Sequence, residues 1–126
     1  MKYIKKKFTI EKVSVEKITK KYGTPTYCYS YRKLKENINN FKRNFKSFSP
    51  LVCFAIKSNT NLNLINEIKK FGLGADVVSV GEMILAIKAG ISPKKIVFSG
   101  VGKKSHEISY AIDKKILLIN AESKSE

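Results

Sequence analysis

The stretch LVCFAIKSNTN, residues 51–61, decides how the rest of the chain is read. Six apolar residues run together, followed by Lys57 and then four small polar residues. Side chains alternate along a strand, so Val52, Phe54 and Ile56 are expected on one face and Cys53, Ala55 and Lys57 on the other. The bulky set suits packing against helices. The small set leaves space and places an amine at the C-terminal end of the strand, the end at which α/β proteins bind ligands. A lysine there can form a Schiff base with a carbonyl when its surroundings favour the neutral amine. The plainer alternative is a lysine that ends a strand by reaching for solvent, in a chain with 23 lysines among 126 residues.

From this stretch onward the same unit repeats: apolar strand, polar turn, helix, Gly or Pro stop. Strand candidates VCFAI, ADVVS, KIVFS and ILLIN begin at residues 52, 75, 95 and 116, so successive starts differ by 23, 20 and 21. Between them, the spacing of Leu64, Ile65, Ile68 and Phe71 predicts a helix over 63–71 that stops at Gly72. Ser79 and Glu82 have capping-box spacing and open a helix over 79–89 ahead of Gly90 and Pro93. A shorter helix is predicted over 105–113. Strands alternating with helices imply a parallel sheet, hence class α/β. Four such units fit either an open doubly wound sheet or half of a (β/α)₈ barrel, which takes about 250 residues to close.

Upstream, SVEKITKKYGTP reads as a short helix capped by Ser14 and stopped by Gly23 and Pro25, and TYCYS (26–30) as a short strand. Leu34, Ile38, Phe41, Phe45 and Phe48 then step by four, three, four and three, the stripe of an amphipathic helix of about four turns starting at Tyr31. Such a stripe is expected in the core. The organisation expected is an N-terminal segment, 1–30, leading into a partial barrel domain, 31–126. The final INAESKSE stops inside what reads as the first turn of another helix, so the sequence is expected to be a fragment.

Composition narrows the function classes. The net charge of +15 points first to nucleic acid or an anionic surface. Yet there are only 2 arginines beside the 23 lysines, with 15 Ile and 9 Asn, residues whose codons are all A/T-rich. Arg, not Lys, supplies bidentate base recognition, so specific nucleic-acid binding is not expected and the basic pairs read as solvated faces. Substituting Lys103 should accordingly matter much less than substituting Lys57. No apolar run reaches the roughly 18 residues of a membrane span. Cys28 and Cys53 stand alone without metal spacing, as reduced thiols in a cytoplasmic protein. His106 is the only histidine and falls on a polar helix start, so no Ser-His-Asp or His-metal set can be built.

Two further features carry chemistry. Asp76 is a carboxylate in an otherwise apolar strand; it is either paired or functional, because burying it alone is costly, or else part of a solvated GLGAD turn. The glycines of FSGVGKK (98–104) follow a strand and precede a helix, where backbone amides can approach an anion, though the pattern is not GxGxxG.

Taken together, YGTPTYCYS (22–30), CFAIKSNTN (53–61), GLGADVVSVGEM (72–83), GISPKKIVFSGVGKK (90–104) and INAESKSE (119–126) resemble the N-terminal part of the diaminopimelate decarboxylase family, pyridoxal-phosphate-dependent enzymes with an alanine-racemase-like barrel. The resemblance covers nearly the whole chain from about residue 8. Val80 departs from the family's usual Gly or acidic residue. The resemblance implies a truncated (β/α)₈ barrel, pyridoxal 5'-phosphate bound covalently by Lys57, and Asp76 as an acidic residue near the cofactor. It implies decarboxylation of meso-diaminopimelate to L-lysine and CO₂ by a homodimer. The alternatives are a related ornithine- or arginine-type decarboxylase, or a non-catalytic relic or binding module. The family's Gly-rich phosphate loop, acidic partner of the pyridine nitrogen and ring-stacking histidine lie on later strands, so the 126-residue chain by itself is expected to be inactive.

Overall fold

The computed structural model describes residues 2–4 and 6–126. It contains two compact units, Met1–Phe48 and Ser49–Glu126.

In the first unit, β1 (Lys2–Ile4), β2 (Lys7–Ile10) and β3 (Val13–Ser14) form an antiparallel meander. The sequence reading had no strand here, because the lysine run masks the short alternation on either side of it. Helix α1 (Val15–Tyr22) starts and stops where expected: Ser14 Oγ accepts the Lys17 N–H, and Gly23 at φ 81° takes the positive φ that ends the helix. Helix α2 (Tyr31–Asn44) is capped by Ser30. Glu11, in the turn between β2 and β3, accepts the Ser30 hydroxyl at 2.8 Å and the Arg32 N–H at 2.8 Å, and this backbone donor, with the hydroxyl second, holds its carboxyl below the usual range.

Two expectations fail in this unit. Residues 26–30 are not a strand: the segment has no ladder partner among the described residues, and Tyr27 is 90% exposed. An alternating aromatic pattern cannot make a strand without a neighbour to take its backbone hydrogen bonds. The stripe on α2 is also not core. The helix buries no residue, and Phe41 and Phe45, although stacked on each other, remain exposed.

The second unit carries the repeat. Strands β4 (Cys53–Ala55), β5 (Gly74–Val77), β6 (Ile96–Phe98) and β7 (Leu118–Ile119) pair in parallel in chain order. Helices α3 (Leu62–Lys70), α4 (Val80–Lys88) and α5 (Ser105–Asp113) connect them. Each predicted strand and helix is present, the strands shorter at one or both ends.

The core has one side. Ile56, Ala75, Val77, Ile96 and Phe98 are fully buried together with Ile65 of α3, Met83 and Ala86 of α4, and Ala111 of α5. Each fully buried large side chain here contributes about 1.5–3 kcal/mol. The strand residues between them (Cys53, Ala55, Asp76, Val97) lie on the opposite face, only half-buried. A doubly wound sheet covers both faces and reverses strand order at a switch point. A sequential parallel order with helices on one face is instead the arrangement of a barrel wall.

Helix starts are tied together by carboxylates. Ser79 Oγ accepts the Glu82 N–H at 3.2 Å as the capping-box spacing predicts, while Glu82 reaches back to the Val78 N–H at 2.9 Å. Glu107 of α5 accepts the Val80 N–H of α4 at 3.0 Å and the Lys104 N–H at 3.2 Å. These donors, Val80 first, hold its carboxyl below the usual range. A carboxyl so lowered stabilises the fold above its unfolded pKa, and that contribution is lost as pH falls through the folded value. Glu107→Gln should therefore lower the melting temperature at pH 7, and the gap from the parent should close as pH is brought below the ordinary carboxylate range. Melting curves across that range check it.

Candidate functional site

The parallel register sets the site. Cys53 lies beside Gly74, and Ala55, Asp76, Val97 and Leu118 stand at one level across four strands. Side chains at one level of a parallel sheet share a face. This is the face away from the helices; Cys53 and Ala55 are small and half-buried on it, and Gly74, beside Cys53, is covered by the Lys95 carbonyl. Gly74 is required there: a Cβ would collide with the Lys95 carbonyl oxygen and come within 2.8 Å of the Cys53 Sγ.

Lys57 follows β4 in a single 3₁₀ turn, Ile56–Ser58, and is exposed. Ile56 is buried completely against the helices, which anchors the turn from behind. The Ser58 hydroxyl donates to the Ala55 carbonyl at 2.7 Å, and the Asn59 N–H donates to the Ile56 carbonyl at 2.9 Å. The backbone bearing the lysine is thus pinned on both sides, while its amine makes no hydrogen bond or ion pair among the described residues. An amine fixed at its root and free at its tip is what covalent capture of a carbonyl needs.

Asp76 is in β5, not in a turn, and is half-buried. Its Oδ1 accepts the Ser99 hydroxyl at 2.6 Å, and Ser99 Oγ in turn accepts from Asn120 Nδ2 at 2.9 Å. Because Ala55 is level with Asp76, Lys57 stands two residues further along the adjacent strand direction on the same lip. The structure therefore brings both candidate residues to the C-terminal ends of neighbouring strands. Ser99 and Asn120 were not singled out from the sequence, where a polar residue ending a strand reads as turn chemistry. Cys53 shares this face: burial, and secondarily the Asp76 charge, pushes its thiol above the ordinary value.

The loop after β6 behaves differently from the sequence reading. Gly100 and Gly102 adopt positive φ, 97° and 78°, and the Gly100 N–H donates to Glu122 Oε1 at 2.9 Å. The anion this loop receives is a carboxylate of its own chain. Lys103 is not on a solvated face, which corrects the expectation for this one lysine, whereas Lys104 and the lysine pairs at 20–21, 69–70, 94–95 and 114–115 are exposed as expected. Its side chain is 2% exposed, and Nζ lies 2.6 Å from the Gly100 carbonyl, 2.9 Å from Glu126 Oε1 and 5.7 Å from the centre of the Phe98 ring. The turn set by the two glycines folds the stem inward, where the carbonyl and carboxylate satisfy the charge. Glu126, whose carboxyl is held below the usual range by the Glu122 N–H first and Lys103 second, completes the loop. His106 is exposed at the start of α5, as expected.

The family model described as "Pyridoxal-dependent decarboxylase, pyridoxal binding domain" matches residues 31–126. The chain belongs to this family. The site fits the family's cofactor: an unengaged amine on the lip of the sheet, past the small, half-buried Cys53 and Ala55, with a carboxylate held on the next strand. The cofactor is pyridoxal phosphate, as the sequence implied. Diaminopimelate decarboxylase of Helicobacter pylori strain J99 is 46% identical over 108 residues, 86% of this chain and 27% of that protein. The Aquifex aeolicus enzyme of the same name is 43% identical over 117 residues, 93% of this chain and 27% of its own length. The crystal structure of diaminopimelate decarboxylase from M. jannaschii in complex with L-lysine superimposes with a TM-score of 0.91 at 35% identity, over 94% of this chain and 29% of that one. The chain thus spans about 27% of the length of the curated relatives named here.

Two predictions follow from the geometry on this lip. Asp76→Asn removes a negative charge that disfavours the Cys53 thiolate, so alkylation of Cys53 by iodoacetamide at mildly alkaline pH should speed up. Residual burial should still leave it slower than a fully exposed thiol, as peptide mass mapping of the modified cysteine would record. Lys103→Ala should destabilise the fold by about 1 kcal/mol, the scale of one hydrogen bond such as that to the Gly100 carbonyl, as the enclosed stem and amine are lost. Lys104→Ala, at an exposed position, should stay within about 0.5 kcal/mol in denaturant unfolding.

Proposed function

We propose that this chain supplies the lysine-bearing N-terminal part of a pyridoxal-phosphate-dependent decarboxylase that converts meso-diaminopimelate to L-lysine and CO₂. The observation that carries this reading is Lys57: an amine with no partner among the described residues, rooted in the turn at the C-terminal end of β4, next to the strand that carries Asp76. In this role Lys57 holds the cofactor through its amine. Asp76 supplies a carboxylate on the neighbouring strand that can take or return a proton at the lysine nitrogen. The cofactor, when bound, acts as the electron sink for the pair released as the α-carboxylate leaves. Residues on the buried face, Ile56 foremost, keep the lysine-bearing turn in place.

The choice of diaminopimelate among amino-acid substrates rests on the relatives, which carry that name at 43–46% identity. The complete enzyme, in this reading, is a homodimer in the cytoplasm. Two free cysteines and the lack, among described helices, of any long and apolar enough to cross a membrane agree with that placement.

The test is Lys57→Ala in the complete polypeptide. Visible absorbance of the protein-bound cofactor should disappear, and turnover of meso-diaminopimelate should fall by on the order of a thousandfold or more. A variant that keeps both would overturn the assignment of Lys57. Turnover of ornithine or arginine but not diaminopimelate by the unmutated enzyme would overturn the substrate.

A further inference from the structure

The loops after β6 and β7 share a circuit of hydrogen bonds that begins and ends on Gly100. Lys103 Nζ donates to the Gly100 carbonyl at 2.6 Å and to Glu126 Oε1 at 2.9 Å. Glu126 Oε2 accepts the Glu122 N–H at 2.7 Å, and Glu122 Oε1 accepts the Gly100 N–H at 2.9 Å, which closes the ring. Two of these bonds cross from residues 99–104 to residues 120–126, and the bond from Asn120 Nδ2 to Ser99 Oγ adds a third crossing at the base. Gly100 contributes both its amide and its carbonyl, at a φ of 97° that a side chain would strain.

The sheet does not hold these loops beyond their first residues. The Ser99 N–H donates to the Val77 carbonyl at 2.8 Å and the Asn120 N–H to the Phe98 carbonyl at 2.9 Å, and there the ladder stops. Past that point the circuit supplies every hydrogen bond between the two segments among the described residues. Its one cation is enclosed, with the Lys103 side chain 2% exposed, so water cannot stand in for a lost partner. In a closed ring each bond polarises and orients the next, so the members are not independent contacts.

We infer that the two loops form one clasp, fastened by Lys103, that opens and closes as a unit. The clasp stands at the C-terminal ends of β6 and β7, the same end of the sheet at which Lys57 follows β4. A ligand that displaces either loop therefore displaces both. Nothing in this depends on the role given to Lys57.

The experiment is amide-resolved hydrogen exchange on the complete polypeptide, read at amides that the substituted side chain does not touch. Lys103→Met removes the amine and keeps an apolar stem; the Glu122 amide, bonded to Glu126 and not to Lys103, should exchange about fivefold faster, the scale of one hydrogen bond. Glu126→Ala should speed exchange of the Gly100 amide, bonded to Glu122 and not to Glu126, by a similar factor of about fivefold. Lys104→Ala should leave both amides unchanged. Lys103 and Glu122 touch only through the circuit, so Lys103→Met combined with Glu122→Ala should cost little more than either alone, measured at the remaining amides of both loops. If Lys103→Met does not fold, Glu122→Ala, at an exposed position, decides by its effect on the Glu126 amide. Faster exchange confined to the substituted loop, or effects that add in the double variant, would reduce the circuit to separate contacts and overturn the clasp.

Discussion

Everything at the candidate site depends on one level in the sheet, at which Ala55, Asp76, Val97 and Leu118 stand side by side. A slip of one residue in any of these pairings would turn that strand's side chains to the opposite face. Such a slip would expose Ile56, Val77 or Phe98 and drive Asp76 or Ser99 into an apolar interior, at a cost of several kcal/mol for each large group displaced. The register is therefore enforced by the helix-covered face, although its functional consequence appears on the other. Packing of Ile65, Met83, Ala86 and Ala111 against the strands is what aims the lysine.

Much of this was legible in the sequence because it follows from period and punctuation. Apolar runs recurring at about twenty residues gave the strands; Ser14, Ser79, Gly23 and Gly72 marked helix ends that the backbone then adopts. The alternation across residues 52–57 placed Lys57 opposite Ile56; Ile56 is buried and Lys57 exposed, although the strand ends at Ala55 and both stand in a 3₁₀ turn. What was not legible depended on partners distant in sequence. TYCYS alternates like a strand yet has no neighbour to pair with, and the stripe from Leu34 to Phe48 repeats like a core face while α2 buries none of it. The polar chain from Asp76 to Asn120 did leave a trace: its members are spaced by 23 and then 21 residues, the strand period itself. A serine and an asparagine at strand ends are so ordinary as turn residues that the spacing alone could not distinguish them.

Lys57 and Lys103 show why composition fails as a guide to charge. Both follow an apolar strand by a few residues in a lysine-rich chain, and each has a small polar residue or glycine on one side, Ser58 after Lys57 and Gly102 before Lys103. Lys57 ends exposed, with no partner among the described residues. Lys103 is enclosed, its amine held by the Gly100 carbonyl and Glu126. The difference lies in backbone conformation: two positive-φ glycines fold the loop after β6 onto its lysine, whereas the 3₁₀ turn after β4 presents its own outward. The same folding brings the Gly100 amide to Glu122, so the loop's capacity for an anion is used in holding its own structure together.

A single arrangement joins core and site. Lys57 follows Ile56, Asp76 follows Ala75, Ser99 follows Phe98 and Asn120 follows Ile119, so each polar residue on the lip is the immediate successor of one packed against the helices. For Asp76, Ser99 and Asn120 the backbone is extended, adjacent side chains are fixed in opposite directions, and a movement of one is a movement of the other. Because interiors at crystalline density shift little, this adjacency confers on three surface side chains the positional precision of the core without burying any of them completely, while Lys57 is anchored instead through its 3₁₀ turn by the buried Ile56. The adjacency also explains why the opposite face can be lined by small residues at little cost: the energy that holds these strands comes from the helix side, and the lip is left free to be chosen for its chemistry.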